Sequence, residues 1–258
     1  MSKALVGRAL AIAGIVSGLL ALGIPFAEGA RYVDDGTTLA FLLVLLSLAS
    51  WMPAEIGRDL FGAAAGAAAF GLFLFFPATA AFDSLGYLHS GAWLGLCTLL
   101  VPIGAFVSSG RGLSLSSPRR APHVPGLLVA LAGIVLVVAG IWPDADSGGD
   151  SFWSFASSGH AVGILLLLLA ALNVVLLFGP AVRPMPALGD LDLVVAAATF
   201  GFVEAGLITT AFEEFGSLGA GAWLEACAGF LLLAGVLWLR RPDVEPAETA
   251  ASTPSPAH

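Results

Sequence analysis

Apolar residues fall into eight long runs, separated by short segments that carry polar residues, proline or glycine. The runs occupy residues 4–24, 38–53, 60–82, 91–108, 126–142, 161–179, 193–212 and 221–239. A helix needs roughly 20 mostly apolar residues to cross a bilayer, and a chain in lipid must satisfy its backbone hydrogen bonds internally. Because the runs lack the alternating ten-residue pattern of barrel strands, they predict an all-α integral membrane protein with eight transmembrane helices.

The composition supports a membrane protein. The chain is 58% hydrophobic and only 11% charged, whereas soluble domains carry roughly 25% charged residues. Ten residues are Lys or Arg, too few to support a nucleic-acid partner. We therefore expect contact with the lipid bilayer, and with other membrane subunits or a second copy of the chain as further partners.

The basic residues predict an orientation. If the N-terminus is cytoplasmic, nine of the ten Lys and Arg residues fall in cytoplasmic segments, and only Arg31 falls outside. An excess of Lys and Arg in cytoplasmic loops is the usual signal of topology. The pattern predicts a multi-pass protein of the plasma (cytoplasmic) membrane with both termini in the cytoplasm.

The sequence contains an internal repeat. A shift of 130 residues places Ala67–Cys97 on Ala197–Cys227 without a gap, and 14 of the 31 aligned positions are identical. The first run matches the fifth at an offset of 119, with Ala-Gly-Ile-Val at 13–16 and again at 132–135. We interpret this as two tandem four-helix repeats. Because four spans is an even number, the repeats should be parallel, related by an axis along the membrane normal.

The repeat predicts the domain organisation. The first repeat covers residues 1–112, a basic cytoplasmic linker covers 113–125, and the second repeat covers 126–240. Residues 241–258 lack apolar periodicity and are rich in Pro, Ala and Thr, so we expect a disordered cytoplasmic tail. Since the first run has a counterpart inside the chain, we expect it to be retained rather than cleaved as a secretory signal.

Small residues at four-residue spacing predict close helix contacts. Such stripes let helix backbones approach each other in lipid. In the third run they are Gly62 with Gly66, and Ala63 with Ala67 and Gly71; in the seventh run they are Ala197, Gly201 and Ala205. Trp93 and Trp223 begin the last run of each repeat and are expected at the membrane interface. Cys97 and Cys227 follow them at equivalent positions, where small buried hydrophobes are a more usual role than a disulfide or a metal site.

Glu204 is the leading candidate for a functional residue. It lies near the middle of the seventh run, where a carboxylate costs roughly 2.5–3.5 kcal/mol on insertion scales. The aligned residue in the first repeat is Leu74, and Glu225 likewise aligns with Gly95. One hypothesis is an acidic, outward-facing cavity in the second repeat that binds a cation or proton. The alternative is a protonated Glu204 that is hydrogen-bonded to a neighbouring helix.

Asn173 and Thr209 are weaker candidates for the same polar site. Interhelical hydrogen bonding is the more common role of such residues in membranes. Pro77 and Pro102 should kink their helices, and neither aligns with a proline in the second repeat.

Familiar catalytic and cofactor motifs are absent from the sequence. We therefore predict no catalytic, cofactor or metal site and do not expect an enzyme. Two functions remain open. The first is passage of a small solute, ion or proton through the duplicated bundle, and the second is an accessory or scaffold role in a larger membrane complex.

Overall fold

The computed structural model describes residues 2–27, 30–34, 36–51, 56–80, 88–108, 124–143, 151–153, 160–182, 191–213 and 219–239. Within these ranges the regular structure is helical, apart from an isolated bridge between Ala27 and Ala30 and a further bridge residue, Ser151. The helices are α1 (Lys3–Gly23), α2 (Gly36–Ser50), α3 (Ile56–Ala80), α4 (Ser90–Leu96), α5 (Leu100–Ser108), α6 (Val124–Gly140), α7 (Ala161–Val182), α8 (Leu191–Glu213) and α9 (Ala220–Trp238). A 3₁₀ turn at Cys97–Leu99 joins α4 to α5. The predicted tail and most of the predicted linker lie outside the described residues.

The helices coincide with the eight apolar runs, with α4 and α5 together filling the fourth. Six of the resulting segments are long and apolar enough to cross a membrane. The other two, α2 and α6, have 15 and 17 residues. At 1.5 Å per residue they are about 22 and 25 Å long, shorter than the roughly 30 Å hydrocarbon core. By length and composition the described helices are those of a helical membrane protein, because six of their segments suffice to cross a bilayer.

Glycines bring α1 onto α5, and α6 onto α9, in two similar antiparallel contacts. A Cβ atom added to Gly14 would lie 2.9 Å from the backbone nitrogen of Val101. One added to Gly133 would lie 2.5 Å from the backbone nitrogen of Leu232. Such close approach requires residues without a side chain. The two glycines are 119 residues apart, the offset at which their apolar runs align.

The centre of the bundle is the crossing of α3 and α8, the most enclosed of the long segments. Gly71 packs against the carbonyl oxygen of Ala198, and Gly201 packs against the carbonyl oxygen of Ala68. The two contacts are equivalent, because the shift of 130 residues places Gly71 on Gly201 and Ala68 on Ala198. The predicted small-residue stripes therefore meet each other and join the first half of the chain (α1–α5) to the second half (α6–α9).

Pro102 and Pro77 have different effects on their helices. The ring of Pro102 excludes the carbonyl of Thr98, four residues earlier, and the chain there adopts the 3₁₀ turn. The fourth predicted span is therefore interrupted rather than one continuous α-helix. In α3 the helix continues through Pro77. Pro77 cannot donate to the carbonyl of Phe73, and the Tyr32 hydroxyl donates to that carbonyl instead, at 3.3 Å.

Aromatic side chains cover one end of the bundle, which we call the aromatic end. The Tyr32 ring packs against Phe26, Phe73 and Phe76, with centroid separations of 4.6–5.3 Å. In the second half, Trp153 lies at this same end, since its backbone N–H donates to the carbonyl of Ile141, just beyond α6.

Lys3 and Arg8 lie at the opposite end, which we call the basic end.

Candidate functional site

Glu204 lies in the middle of α8 and is only 4% exposed. Its side chain faces α9 at Gly229, where an added Cβ would lie 3.4 Å from the Glu204 Oε1 atom. Phe200, one turn earlier in α8, contacts the same glycine. Glu204 is thus enclosed between helices rather than exposed in an open cleft. Its Oε1 atom has no hydrogen-bond partner among the described residues.

Glu225 lies in the second turn of α9 and is fully buried. Its Cγ and Oε1 atoms lie 2.8 and 2.9 Å from the position that a Cβ on Gly140 would take. Gly140 is the last residue of α6, so the absence of a side chain there provides the space for Glu225. Neither carboxylate oxygen of Glu225 has a hydrogen-bond partner in the described part of the chain.

The two carboxyl groups adjoin one side of α9. Glu225 and Gly229, which faces Glu204, are four residues apart, or about 6 Å along the axis and about 40° around it. Glu225 therefore lies about one turn nearer the aromatic end than Glu204. Together the pair presents three buried carboxylate oxygens that have no hydrogen-bond partner in the ranges that the structure describes. We call Glu204 and Glu225 the acidic pair.

No positive charge on the helices of the second half balances the acidic pair. Helices α6, α7, α8 and α9 contain no Lys or Arg. Leaving one buried charge without a partner costs several kcal/mol, and a carboxylate inside a bilayer is correspondingly expensive. This free-energy cost is avoided when each carboxyl is neutralised, either by its own proton or by a bound cation. Within the described ranges, the Oε1 atom of Glu204 does not make the hydrogen bond to a neighbouring helix that was the alternative prediction.

Asn173 forms the interhelical hydrogen bond that was predicted as its more usual role. Its Nδ2 atom donates to the Thr199 hydroxyl of α8 at 2.9 Å and to the Leu169 carbonyl at 2.9 Å. The Thr199 hydroxyl in turn donates to the Val195 carbonyl at 2.8 Å. Thr199 lies about 140° around α8 from Glu204. The structure therefore places Asn173 at the α7–α8 contact, apart from the acidic pair.

Thr199 was missed by the sequence reasoning, although a signal was available. It aligns with Ala69 under the 130-residue shift, so it is a polar residue of the second half alone, like Glu204 and Glu225. Thr209, the remaining candidate, falls within α8, but its side chain lies outside the described part of the structure.

The tryptophans and cysteines lie away from the acidic pair. Trp93 and Trp223 are exposed on the bundle surface, as interfacial anchors would be. Both cysteines are free thiols, with Cys97 partly buried and Cys227 exposed. Because α3 and α8 occupy the centre, the thiols do not line it. Among the described residues, no group of three His, Cys, Asp or Glu side chains is arranged to hold a metal ion.

Comparisons with protein-family models, with curated proteins and with solved structures found no match to this chain.

Proposed function

We propose that the protein moves protons or small monovalent cations across the membrane, with Glu204 and Glu225 as the binding groups. The observation that carries this proposal is the enclosure of three carboxylate oxygens that lack a hydrogen-bond partner among the residues described. They lie between helices that contain no basic residue. Such intramembrane acids characteristically mark ion or proton paths.

The first half of the chain supports a role for the acidic pair beyond packing. At the equivalent positions it has Leu74 and Gly95, and it forms a similar arrangement of helices without any buried acid there. Burying two carboxyl groups in the second half therefore costs free energy, and the first half shows that helix packing does not need them. Binding of a proton or cation is a role that explains why they are there.

The depth of the two residues suggests how they act in sequence. Glu225 lies one turn nearer the aromatic end, so an ion entering from that side reaches Glu225 before Glu204. A carboxyl that holds a proton or cation is neutral as a unit and tolerates enclosure. Release requires water to reach the site, and hence a rearrangement of helices around the acidic pair.

Two parallel repeats would provide the helical units that move against each other during this rearrangement. We propose that the chain consists of two four-helix repeats of like orientation, with eight spans and both termini in the cytoplasm. The equivalent contacts of Gly71 and Gly201 at the crossing of α3 and α8 support this proposal. Transporters built from such repeats alternate access by rocking one unit against the other around the binding site.

The test is ion flux in liposomes that contain the purified protein and an enclosed pH-sensitive dye. A potassium gradient with valinomycin provides the driving force for protons, and sodium or potassium uptake is measured in separate liposomes without valinomycin. We expect wild-type protein to move at least one of these ions. Glu204→Gln and Glu225→Gln should each lower the flux at least tenfold, because a carboxamide neither releases a proton nor neutralises a cation.

Thr199→Val is the matched control, because it removes a buried polar group from α8 at the contact that does not involve the acidic pair. Its flux should stay within about twofold of the wild type. Absence of proton, sodium and potassium flux in wild-type liposomes would overturn the proposal. Co-purification of a stable membrane partner would then favour the accessory or scaffold role.

A further inference from the structure

A groove with a volume of about 310 Å³ lies between α1, α2 and α5, remote from the acidic pair. Its polar lining comes from one residue of each helix, Arg8, Ser50 and Ser108. Its apolar lining comes mainly from Ile12, Ile15 and Val16 of α1. The volume falls at the lower end of the range typical of ligand sites, roughly 300–1,000 Å³.

Polar and apolar groups occupy different ends of this groove. Ser50 and Ser108 are the last residues of α2 and α5, and Ser108 packs against Gly7, beside Arg8. From Arg8 the apolar residues extend along α1 as far as Val16, about 12 Å deeper at 1.5 Å per residue. The groove therefore has a polar mouth at the basic end and an apolar interior, which is the polarity of a lipid molecule.

The charge of the mouth is not balanced by the helices that form it. Helices α1, α2 and α5 contain no Asp or Glu, and the Arg8 side chain is exposed. A guanidinium group binds phosphate through paired, charge-assisted hydrogen bonds. Ile12 and Val16 are 61% and 47% exposed, so the groove is open along its length to the surrounding acyl chains.

We propose that this groove binds one anionic phospholipid, with its phosphate at Arg8 and an acyl chain along Ile12 and Val16. The second half of the chain has no equivalent mouth. By the 119-residue offset Leu127 takes the place of Arg8, and Leu239 contacts Gly126 as Ser108 contacts Gly7. The lipid site thus belongs to the first half, whereas the acidic pair belongs to the second, and neither proposal depends on the other.

Native mass spectrometry of the protein released from vesicles tests the lipid site. The vesicles contain equal amounts of phosphatidylglycerol and phosphatidylcholine, and the retained lipids are counted by mass. Wild-type protein should retain phosphatidylglycerol in preference. Arg8→Gln should lower the ratio of retained phosphatidylglycerol to phosphatidylcholine about fivefold, because the carboxamide loses the charge-assisted hydrogen bonds to the lipid phosphate.

Lys3→Gln is the matched control, since it removes a positive charge from the same end of α1 but not from the groove. Its lipid ratio should equal that of the wild type. An unchanged ratio in Arg8→Gln, or an equal loss in both variants, would overturn the proposal.

A second variant blocks the groove and keeps its charge. Val16→Trp should displace the retained lipid although Arg8 is present, whereas Leu20→Trp, at another exposed position of α1, should not. Circular dichroism of each variant establishes that its helix content is preserved. Retention of phosphatidylglycerol by folded Val16→Trp protein would also overturn the proposal.

Discussion

Pro77 leaves the carbonyl of Phe73 without its helical donor, and Tyr32 supplies the missing hydrogen bond from outside the helix. The Tyr32 side chain is almost fully buried. Burial raises the pKa of the Tyr32 phenol well above its usual value, so the hydroxyl remains a donor at every working pH. This single contact ties the segment between α1 and α2 to the part of α3 near the aromatic end.

Tyr32→Phe should destabilise the protein by about 1–3 kcal/mol, the cost of a buried acceptor left without a donor. In a Pro77→Ala background the same change should cost less than half as much, because an alanine at this position can donate its own N–H to the Phe73 carbonyl. Unfolding in mixed detergent micelles measures both values, and the difference is the coupling energy of a double-mutant cycle. Equal losses in the two backgrounds would show that the Tyr32 hydroxyl does not serve this carbonyl.

The sequence predicted how deep in the membrane the candidate site lies, but not which residues its side chains contact. A carboxylate in the middle of a long apolar run must lie inside the membrane, and the alignment with Leu74 and Gly95 singled out Glu204 and Glu225. Which helix each residue faces depends on how α8 and α9 rotate and pack, which an almost uniformly apolar run does not specify. The spaces at Gly229 and Gly140 were therefore found only in the structure.

Helices α3 and α8 meet through backbone atoms, so their contact tolerates little added volume. A methyl group on Gly71 or Gly201 would meet a main-chain carbonyl, which cannot rotate away as a side chain would. The two substitutions should have similar effects, since the contacts are equivalent.

Gly71→Ala and Gly201→Ala should each lower the free energy of unfolding by about 1–3 kcal/mol, the usual cost of overpacking. Gly23→Ala is the control, because no atom lies within 4 Å of the added Cβ, and its effect should stay within about 0.5 kcal/mol. Unfolding in detergent again provides the measurement. If the three variants were equally stable, α3 and α8 could not be in backbone contact.

The positions of the helices followed from the apolar runs, but their continuity and pairing did not. The run over 91–108 gives no sign of an interruption except Pro102, and a proline can either bend a helix or break it, depending on how the freed carbonyl is satisfied. Similarly, the small residues of α3 predicted a close contact without identifying its partner. Pairing is decided by shape complementarity across the whole helix surface.

At the scale of the whole molecule, two similar halves differ in their polar chemistry. The second half encloses the acidic pair, and the first half carries the basic groove at its surface. The proposed topology places the groove in the cytoplasmic leaflet and brings Glu225 nearer the outer side.

Single cysteines test this topology in a Cys97→Ala, Cys227→Ala background. Asp34→Cys, at the aromatic end, should react with a membrane-impermeant maleimide in intact cells. Ser2→Cys, at the basic end, should react only after the membrane is permeabilised. The reverse pattern of labelling, read as a shift in mass, would mean that the protein is inserted in the opposite orientation.

Gly140, the last residue of α6, bears on how Glu225 could have arisen if the two halves are copies of one unit. The first half has Ala21 at this position and Gly95 in place of Glu225. A methyl group at residue 140 would occupy the space now held by the Glu225 Cγ atom. If both halves began with alanine at this position and glycine in place of the acid, a change to glycine at residue 140 would make the space before or together with the arrival of Glu225. On that path the acid can disappear in one mutational step, whereas its gain depends on a permissive change in another helix.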